Sequence, residues 1–219
     1  MICAVVLAAG RSERMGTQKL LLPLGGKPVV VRIVDELLGS RVERILVVVG
    51  RDSEQLCEAL NGRAVQFIEN PDPASDMLGS VRCGLRNLPA KSEAALIVIG
   101  DQPGISSELV DEMIHCFREG KGKIVVPVCE RRRGHPVLFS TQFRDDVLSH
   151  YGNDGLRGFI DAHSAEVHGL AVSPAAILED MDTPADYRRL EEWFASQLRR
   201  NGFTTVANQI QHPLSSGIP

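Results

Sequence analysis

Residues 5–30 read VVLAAGRSERMGTQKLLLPLGGKPVV. The apolar run from Ile2 to Leu7 breaks into Ala8-Ala9-Gly10, and the next loop carries Arg11, Arg14, Gly16 and Lys19. A second apolar segment closes with Gly25-Gly26-Lys27-Pro28. A buried strand ending in small residues brings bare backbone N–H groups to the carboxyl edge of a sheet, where α/β proteins bind ligands. Cations on the same loop suit a polyphosphate. Two common phosphate loops are excluded. Gly10 and Gly16 enclose five residues but Thr17 follows, so the lysine of a Walker loop is missing. Ala9-Gly10-Arg11-Ser12 does not supply the Gly-x-Gly-x-x-Gly of a dinucleotide site.

Outward from this segment, runs rich in Val and Ile alternate with amphipathic stretches, the pattern of a mostly parallel sheet covered by helices. The pattern predicts strands near 2–8, 44–49, 65–69, 94–99, 123–128, 135–139 and 166–171. Helices are expected near 28–38, 53–60, 78–87, 106–118, 141–149, 155–162 and 184–199, with Ser53, Ser106 and Thr183-Pro184 as start signals. The link between 123–128 and 135–139 is too short for a crossover helix, so these two strands should pair antiparallel. The 219 residues suit a single domain, expected over 1–200. The tail 201–219 collects Asn, Gln, Ser, Gly and Pro without periodicity and is expected to be disordered or loosely packed, with no catalytic role.

Composition narrows the function. A net charge of −4 provides no global basic field, and 5% aromatics provide no stacking platform, so nucleic acid is not an expected partner. Five scattered cysteines form no C-x-x-C pair, which fits a reducing compartment and argues against disulfides or zinc. The apolar start lacks a basic leader, and no stretch approaches the ~20 apolar residues of a membrane span, so a cytoplasmic protein without a membrane partner is expected.

Several residue groups can carry chemistry, each with a plainer alternative. Arg14 and Lys19 could converge on phosphate oxygens or remain solvated, and Gly10 could serve the ligand or only the turn. Asp101 follows the buried run AALIVI, as a hard ligand for Mg²⁺ or as a turn residue ahead of Pro103. Asp180 and Asp182 point the same way on an extended segment, Asp182 could instead cap the helix that follows, and Asp186 suits that helix's dipole. In Arg131-Arg132-Arg133-Gly134-His135-Pro136, the first two arginines read as solvated. Gly134 permits close backbone approach, and His135 could donate to a phosphate or be structural. Arg157, in Gly152-Asn153-Asp154-Gly155-Leu156-Arg157, is a second phosphate contact or part of a turn into a helix. His115, His150, His163 and His168 follow no metal-ligand spacing.

Residues 5–30 resemble the signature LAAGxSxRMGxxKxLLPxxGxPxV of the MobA-like nucleotidyltransferases. The resemblance continues through Gly100-Asp101-Gln102-Pro103, Gly134-His135-Pro136-Val137-Leu138-Phe139 and the Asp182-Thr183-Pro184 segment, spanning about 2–190. Within the family it is strongest to the molybdenum cofactor cytidylyltransferase (MocA-type) branch. It implies a Rossmann-like three-layer α/β/α fold with a mostly parallel mixed sheet and one antiparallel strand, like the nucleotide-diphospho-sugar transferases. The implied reaction moves NMP from an NTP, by the Ala8-Ala9-Gly10 spelling CTP, to a phosphorylated, molybdopterin-type acceptor with release of pyrophosphate. Leu7, Ala8, Ala9, Gly10, Arg14, Lys19, Asn70 and Ser80 would bind nucleotide, and Gly134 and His135 the acceptor. Asp101 and Asp182 would hold Mg²⁺, with Arg14, Lys19 and Asp101 catalytic. A molybdoenzyme or its chaperone is an implied partner. GTP as donor, a sugar phosphate as acceptor, and a non-catalytic nucleotide-binding chaperone are the alternatives. Asp76 stands where the family pattern has Gly.

Overall fold

Ile2–Ala8 forms β1, buried along its whole length at the centre of the main sheet. The computed structural model describes residues 1–10, 18–72, 76–173 and 181–200, with side chains to 196. Arg11, Arg14, Asp180 and the tail 201–219 lie outside the described residues. In chain order the further strands are β2 (Pro23–Leu24), β3 (Lys27–Pro28), β4 (Arg44–Val49), β5 (Gln66–Glu69), β6 (Ala94–Ile99), β7 (Ile124–Cys129), β8 (Arg132–Arg133), β9 (Val137–Ser140) and β10 (Val167–Ala171). The helices are α1 (Val29–Leu38), α2 (Glu54–Ala59), α3 (Met77–Arg86), α4 (Ser107–Arg118), α5 (Arg144–Ser149), α6 (Gly155–Ala162) and α7 (Pro184–Arg200).

The sheet runs β10-β7-β9-β6-β1-β4-β5, with β8 beside β7. Val5 pairs in parallel with Leu46 on one side and Ile97 on the other. The pleat sends alternate side chains to opposite faces. Ile2, Ala4, Val6 and Ala8 join a core with Val30 and Ile33 of α1, Met113 of α4 and Leu190 of α7. Cys3, Val5 and Leu7 join a second core with Val81 of α3, Val147 of α5 and Phe159 of α6. Each fully buried aliphatic side chain stabilises by about 1.5–3 kcal/mol, so a strand buried on both faces is the stiffest part of the fold. The result is the expected three-layer α/β/α architecture.

β9 is antiparallel to both neighbours, with Val137 opposite Ile97 and Leu138 opposite Val125. The chain reverses after β7 through Glu130 and Arg131, both at positive φ (48° and 67°), into β8. Three features differ from the sequence expectation. β9 begins at Val137, so His135 and Pro136, joined by a cis peptide bond, precede it. The segment from 141 opens as a 3₁₀ turn, Thr141–Phe143, before α5. The β2–β3 hairpin and β8 were not foreseen, because two-residue strands carry no readable period.

Two of the three helix starts are capped by side chains as expected. Ser106 accepts from the Leu109 N–H at 3.3 Å. Thr183 and Asp186 cap each other's backbone N–H groups, at 2.8 and 3.2 Å, a reciprocal capping box. Ser53 makes no side-chain cap bond, and its carbonyl accepts from the Cys57 N–H instead.

Candidate active site

The chain leaves β1 toward β4 on one side of the sheet, while β6 lies on the other, so their carboxyl ends form a topological switch point. Gly100 ties the two ends together, its N–H donating to the Leu7 carbonyl at 3.0 Å. A Cβ on Gly100 would lie 2.6 Å from that same oxygen and 3.2 Å from Leu20. Glycine is therefore needed to set Asp101 directly beside the end of β1.

Lys19 stands on a 3₁₀ turn, Lys19–Leu21, whose Leu20 is buried in the core. Its Nζ donates to Asp101 Oδ2 and, at 2.9 Å, to Asp182 Oδ1. Asp182 reaches this point because Met181 is fully buried and its N–H donates to the Asp101 carbonyl at 3.2 Å. Just beyond, Tyr187 of α7 donates its hydroxyl to the Pro23 carbonyl at 2.5 Å, binding α7 to the hairpin that follows Lys19. The Lys19 and Asp101 side chains are only 14% and 16% exposed, whereas Asp182 is 43% exposed. Burial alone would weaken the Lys19 ammonium, but hydrogen bonds to Asp101 and Asp182 outweigh it and raise the pKa above its ordinary value. The ammonium is therefore held between the two carboxylates.

Asn70 and Ser80 are buried and meet each other, with Asn70 Nδ2 donating to Ser80 Oγ at 3.2 Å. The Asn70 N–H donates to the Val49 carbonyl at the end of β4, so this pair stands at the same carboxyl edge. Asp76 also has a clear task. It is the N-cap of α3, accepting from the Gly79 N–H at 2.7 Å. A side chain of that kind satisfies one of the unpaired N–H groups at a helix start.

Gly134 is buried and donates its N–H to the Pro127 carbonyl at 2.9 Å. β9 runs against β6, so the chain before Val137, including His135, lies toward the Asp101 end of the sheet. Arg131 is exposed in the turn and Arg132 exposed on β8, in keeping with the solvated reading. Arg133 pairs with Asp161 at 2.5 Å, while Arg157, 92% exposed, stands 4.0 Å from the same carboxylate. Ala8 ends β1 and Ala9 follows it, and a Cβ on Gly10 would meet nothing within 4 Å among the described residues. Among the described residues no group of three or more His, Cys, Asp or Glu could hold a metal ion. Two carboxylates suffice where substrate phosphates and water complete the shell of a hard dication.

Sequence reading missed a cluster elsewhere. Asp146 accepts from Tyr151 at 2.6 Å and lies 2.8 Å from both His150 Nδ1 and His163 Nε2. Asp146 lies on α5, His150 and Tyr151 follow it, and His163 comes just after α6, so the cluster forms only when the two helix ends meet.

Residues 4–167 match the MobA-like NTP transferase domain. The chain belongs to the MobA-like NTP transferase family. It is therefore an NTP transferase domain, whose reaction class is nucleotidyl transfer. It is 28% identical over 197 residues to the nicotine blue oxidoreductase of Paenarthrobacter nicotinovorans, covering 86% of this chain and 96% of that one. It is 30% identical over 151 residues to the bifunctional protein GlmU of Listeria monocytogenes, covering 66% of this chain but only 31% of GlmU. Among solved structures, Rv0371c of Mycobacterium tuberculosis superposes with a TM-score of 0.76 at 28% identity, over 87% of this chain and 97% of that one. Rv0371c has also been solved in complex with manganese. A nucleotidyl transferase of Methanothermobacter (Mth528) superposes with a TM-score of 0.76 at 26% identity, over 90% of this chain and 99% of that one. A 4-diphosphocytidyl-2C-methyl-D-erythritol synthase from Anaerococcus prevotii, at 18% identity and a TM-score of 0.71, shares the fold. All five cysteines are free thiols. No described helix is long and apolar enough to cross a membrane.

Proposed function

We propose that this family member transfers CMP from CTP to a phosphorylated acceptor of the molybdopterin type, releasing pyrophosphate. The observation that carries the reading is the convergence of Lys19, Asp101 and Asp182 at the carboxyl edge shared by β1 and β6. An acceptor phosphate oxygen forms a new bond to the α-phosphorus, and the bond to the α,β-bridging oxygen breaks. Little covalent chemistry is asked of the protein, so positioning and charge stabilisation carry the rate. Lys19 and Arg14 grip the triphosphate, and Gly10, whose added Cβ would meet none of the described residues within 4 Å, lets a phosphate come close to the backbone. Asn70 and Ser80, fixed to each other, line the nucleoside side. Gly134 and His135 face the acceptor, and a molybdoenzyme or its chaperone receives the product.

Asp101 and Asp182 would hold the Mg²⁺, two hard oxygen donors of the kind this ion takes alongside phosphates. When bound, it offsets the charge that builds on the phosphoryl oxygens and the leaving group. The manganese complex of Rv0371c supports a divalent metal. The choice of CTP rests on the Ala8-Ala9-Gly10 spelling and on Gly134-His135-Pro136-Val137-Leu138-Phe139.

Pyrophosphate release with CTP, GTP and ATP, each with molybdopterin or a sugar phosphate, tests the reading. CTP with molybdopterin should be preferred by ~10²-fold or more, since a pocket that hydrogen-bonds a pyrimidine edge excludes purines by size and unpaired groups. His135→Ala should raise the KM for acceptor more than the KM for CTP. Equal use of GTP and CTP removes the cytidylyl assignment. Nucleotide binding without release for any pair favours a non-catalytic chaperone, and no nucleotide binding at all turns attention to the redox name of the relative from P. nicotinovorans.

A further inference from the structure

Only Leu22 separates the Lys19–Leu21 turn from the β2–β3 hairpin. Strands of two residues cannot hold a hairpin in place by themselves, so groups outside it must do so. The Val29 N–H, at the start of α1, donates to the Leu22 carbonyl at 3.1 Å. Three successive hairpin carbonyls then accept from side chains. Pro23 accepts from the Tyr187 hydroxyl at 2.5 Å, and Leu24 from Arg32 Nε and Nη2 at 3.2 and 2.9 Å. Gly25 accepts from Arg32 Nη2 at 3.3 Å.

Arg32 also grips α7. Its guanidinium carbon lies over the Phe194 ring, 4.6 Å from the centroid. Tyr187, Leu190 and Phe194, spaced i, i+3 and i+7, make one stripe of α7, with Leu190 and Phe194 buried. One planar fork thus turns its N–H edge to the hairpin and its face to the helix, which an ammonium cannot do. Asp182 stands two residues before the start of that same helix. The joint between hairpin and helix therefore sets how closely the segment bearing Lys19 meets the segment bearing Asp182.

We infer that Arg32 and Phe194 are positioning residues for the Lys19–Asp182 pair, acting through the hairpin on one side and α7 on the other. For turnover this rests on the reading of Lys19 and Asp182 as parts of the active site, whereas their geometry can be followed without turnover.

Loosening the joint should draw Asp182 away from the Lys19 ammonium, leaving the amine more accessible and more easily deprotonated. Acylation of Lys19 by limiting acetic anhydride, followed by peptide mass spectrometry on the full chain, reads this directly. It should speed up roughly threefold or more in Arg32→Lys and Phe194→Leu, the low end of what coupled contacts carry. Lys91, exposed ahead of β6 at the opposite edge of the sheet, is the internal reference. Phe194→Tyr keeps the ring face and should match the wild type, whereas leucine preserves only the apolar filling. Tyr187→Phe, which removes one hydroxyl, serves the same comparison if Arg32→Lys or Phe194→Leu does not fold. The kcat for pyrophosphate release should fall roughly tenfold or more in the variants with faster acylation, within the cost of a small misplacement. Unchanged Lys19 acylation in Arg32→Lys overturns the inference, as does Phe194→Leu behaving like the wild type. Faster acylation with an unchanged kcat overturns the positioning role. Faster acylation with no pyrophosphate release from any form, the wild type included, keeps the joint and removes the proposed reaction.

Discussion

The Met181 N–H donates to the Asp101 carbonyl at 3.2 Å, joining the segment before α7 to the end of β6. One residue further, the Asp182 carboxylate meets the same lysine that Asp101 holds. The two acidic side chains thus belong to one site although their strand and helix are far apart in the chain.

Asp101→Asn and Asp182→Asn should each reduce metal-dependent pyrophosphate release by roughly 10³-fold, the scale of losing a metal ligand in the transition state. Circular dichroism should show the fold unchanged. Near-normal release in either variant would mean that its carboxylate only pairs with Lys19.

Met181 is fully buried, and truncating a buried methionine costs about 2–5 kcal/mol. Met181→Ala should lower the urea midpoint and also weaken turnover, because Asp182 loses its anchor. Met181→Leu, close in volume, should recover most of both. Stability falling while the rate stays intact would show that the backbone bond alone positions Asp182.

Gly100→Ala and Gly10→Ala should part company. The first places a Cβ 2.6 Å from the Leu7 carbonyl and must move the backbone under Asp101. Overpacking of this sort costs about 1–3 kcal/mol, and turnover should fall with it. At Gly10 the Cβ meets none of the described residues within 4 Å, so stability should stay within about 0.5 kcal/mol, and any defect should be in the KM for nucleotide. Chemical denaturation and steady-state kinetics on both variants decide.

Asp76→Ala should destabilise the protein by about 1 kcal/mol through loss of the α3 cap, and Asp76→Ser should restore it. The cap accepts from Gly79, next to Ser80, so a lowered affinity for CTP in the alanine variant alone would show that the cap also sets the nucleoside side.

The two tyrosines give a pH signature. The Tyr151 phenol is pushed up from 10.0 to about 12, first by its hydrogen bond to Asp146 and then by burial. Tyr187 is likewise raised to about 12, by burial and then Glu191. A raised folded pKa means stability that is complete below pH 10.0 and lost as the pH climbs through about 12. Absorbance at 295 nm should show little phenolate at pH about 11 in the wild type. Asp146→Asn should release most of one equivalent there, as Tyr151 returns toward its ordinary value. The same variant should flatten the acid limb of stability. Asp146 is held below 3.8, chiefly by Tyr151 and His163, so it stabilises above that pH and the contribution is lost as the pH falls. An unchanged alkaline titration would remove Asp146 as the cause.

The sequence by itself determined the order and kind of the elements. Unbroken runs such as Ile2–Leu7 and Ala94–Ile99, short and rich in Val and Ile, read as strands buried on both faces, and the short link after Cys129 excludes a crossover helix. It also singled out Lys19, Asp101 and Asp182 as residue types suited to a polyphosphate and its metal. Tertiary structure alone decided that Lys19 bridges both carboxylates, across sequence separations of 82 and 163 residues. Only there does the out-of-pattern Asp76 become a helix cap, and only there do Asp146, Tyr151 and His163 meet. The physical reason is range. Periodicity, caps and turns are set by neighbours within a few residues, whereas side-chain pairing at a switch point depends on how distant segments cross at the edge of the sheet.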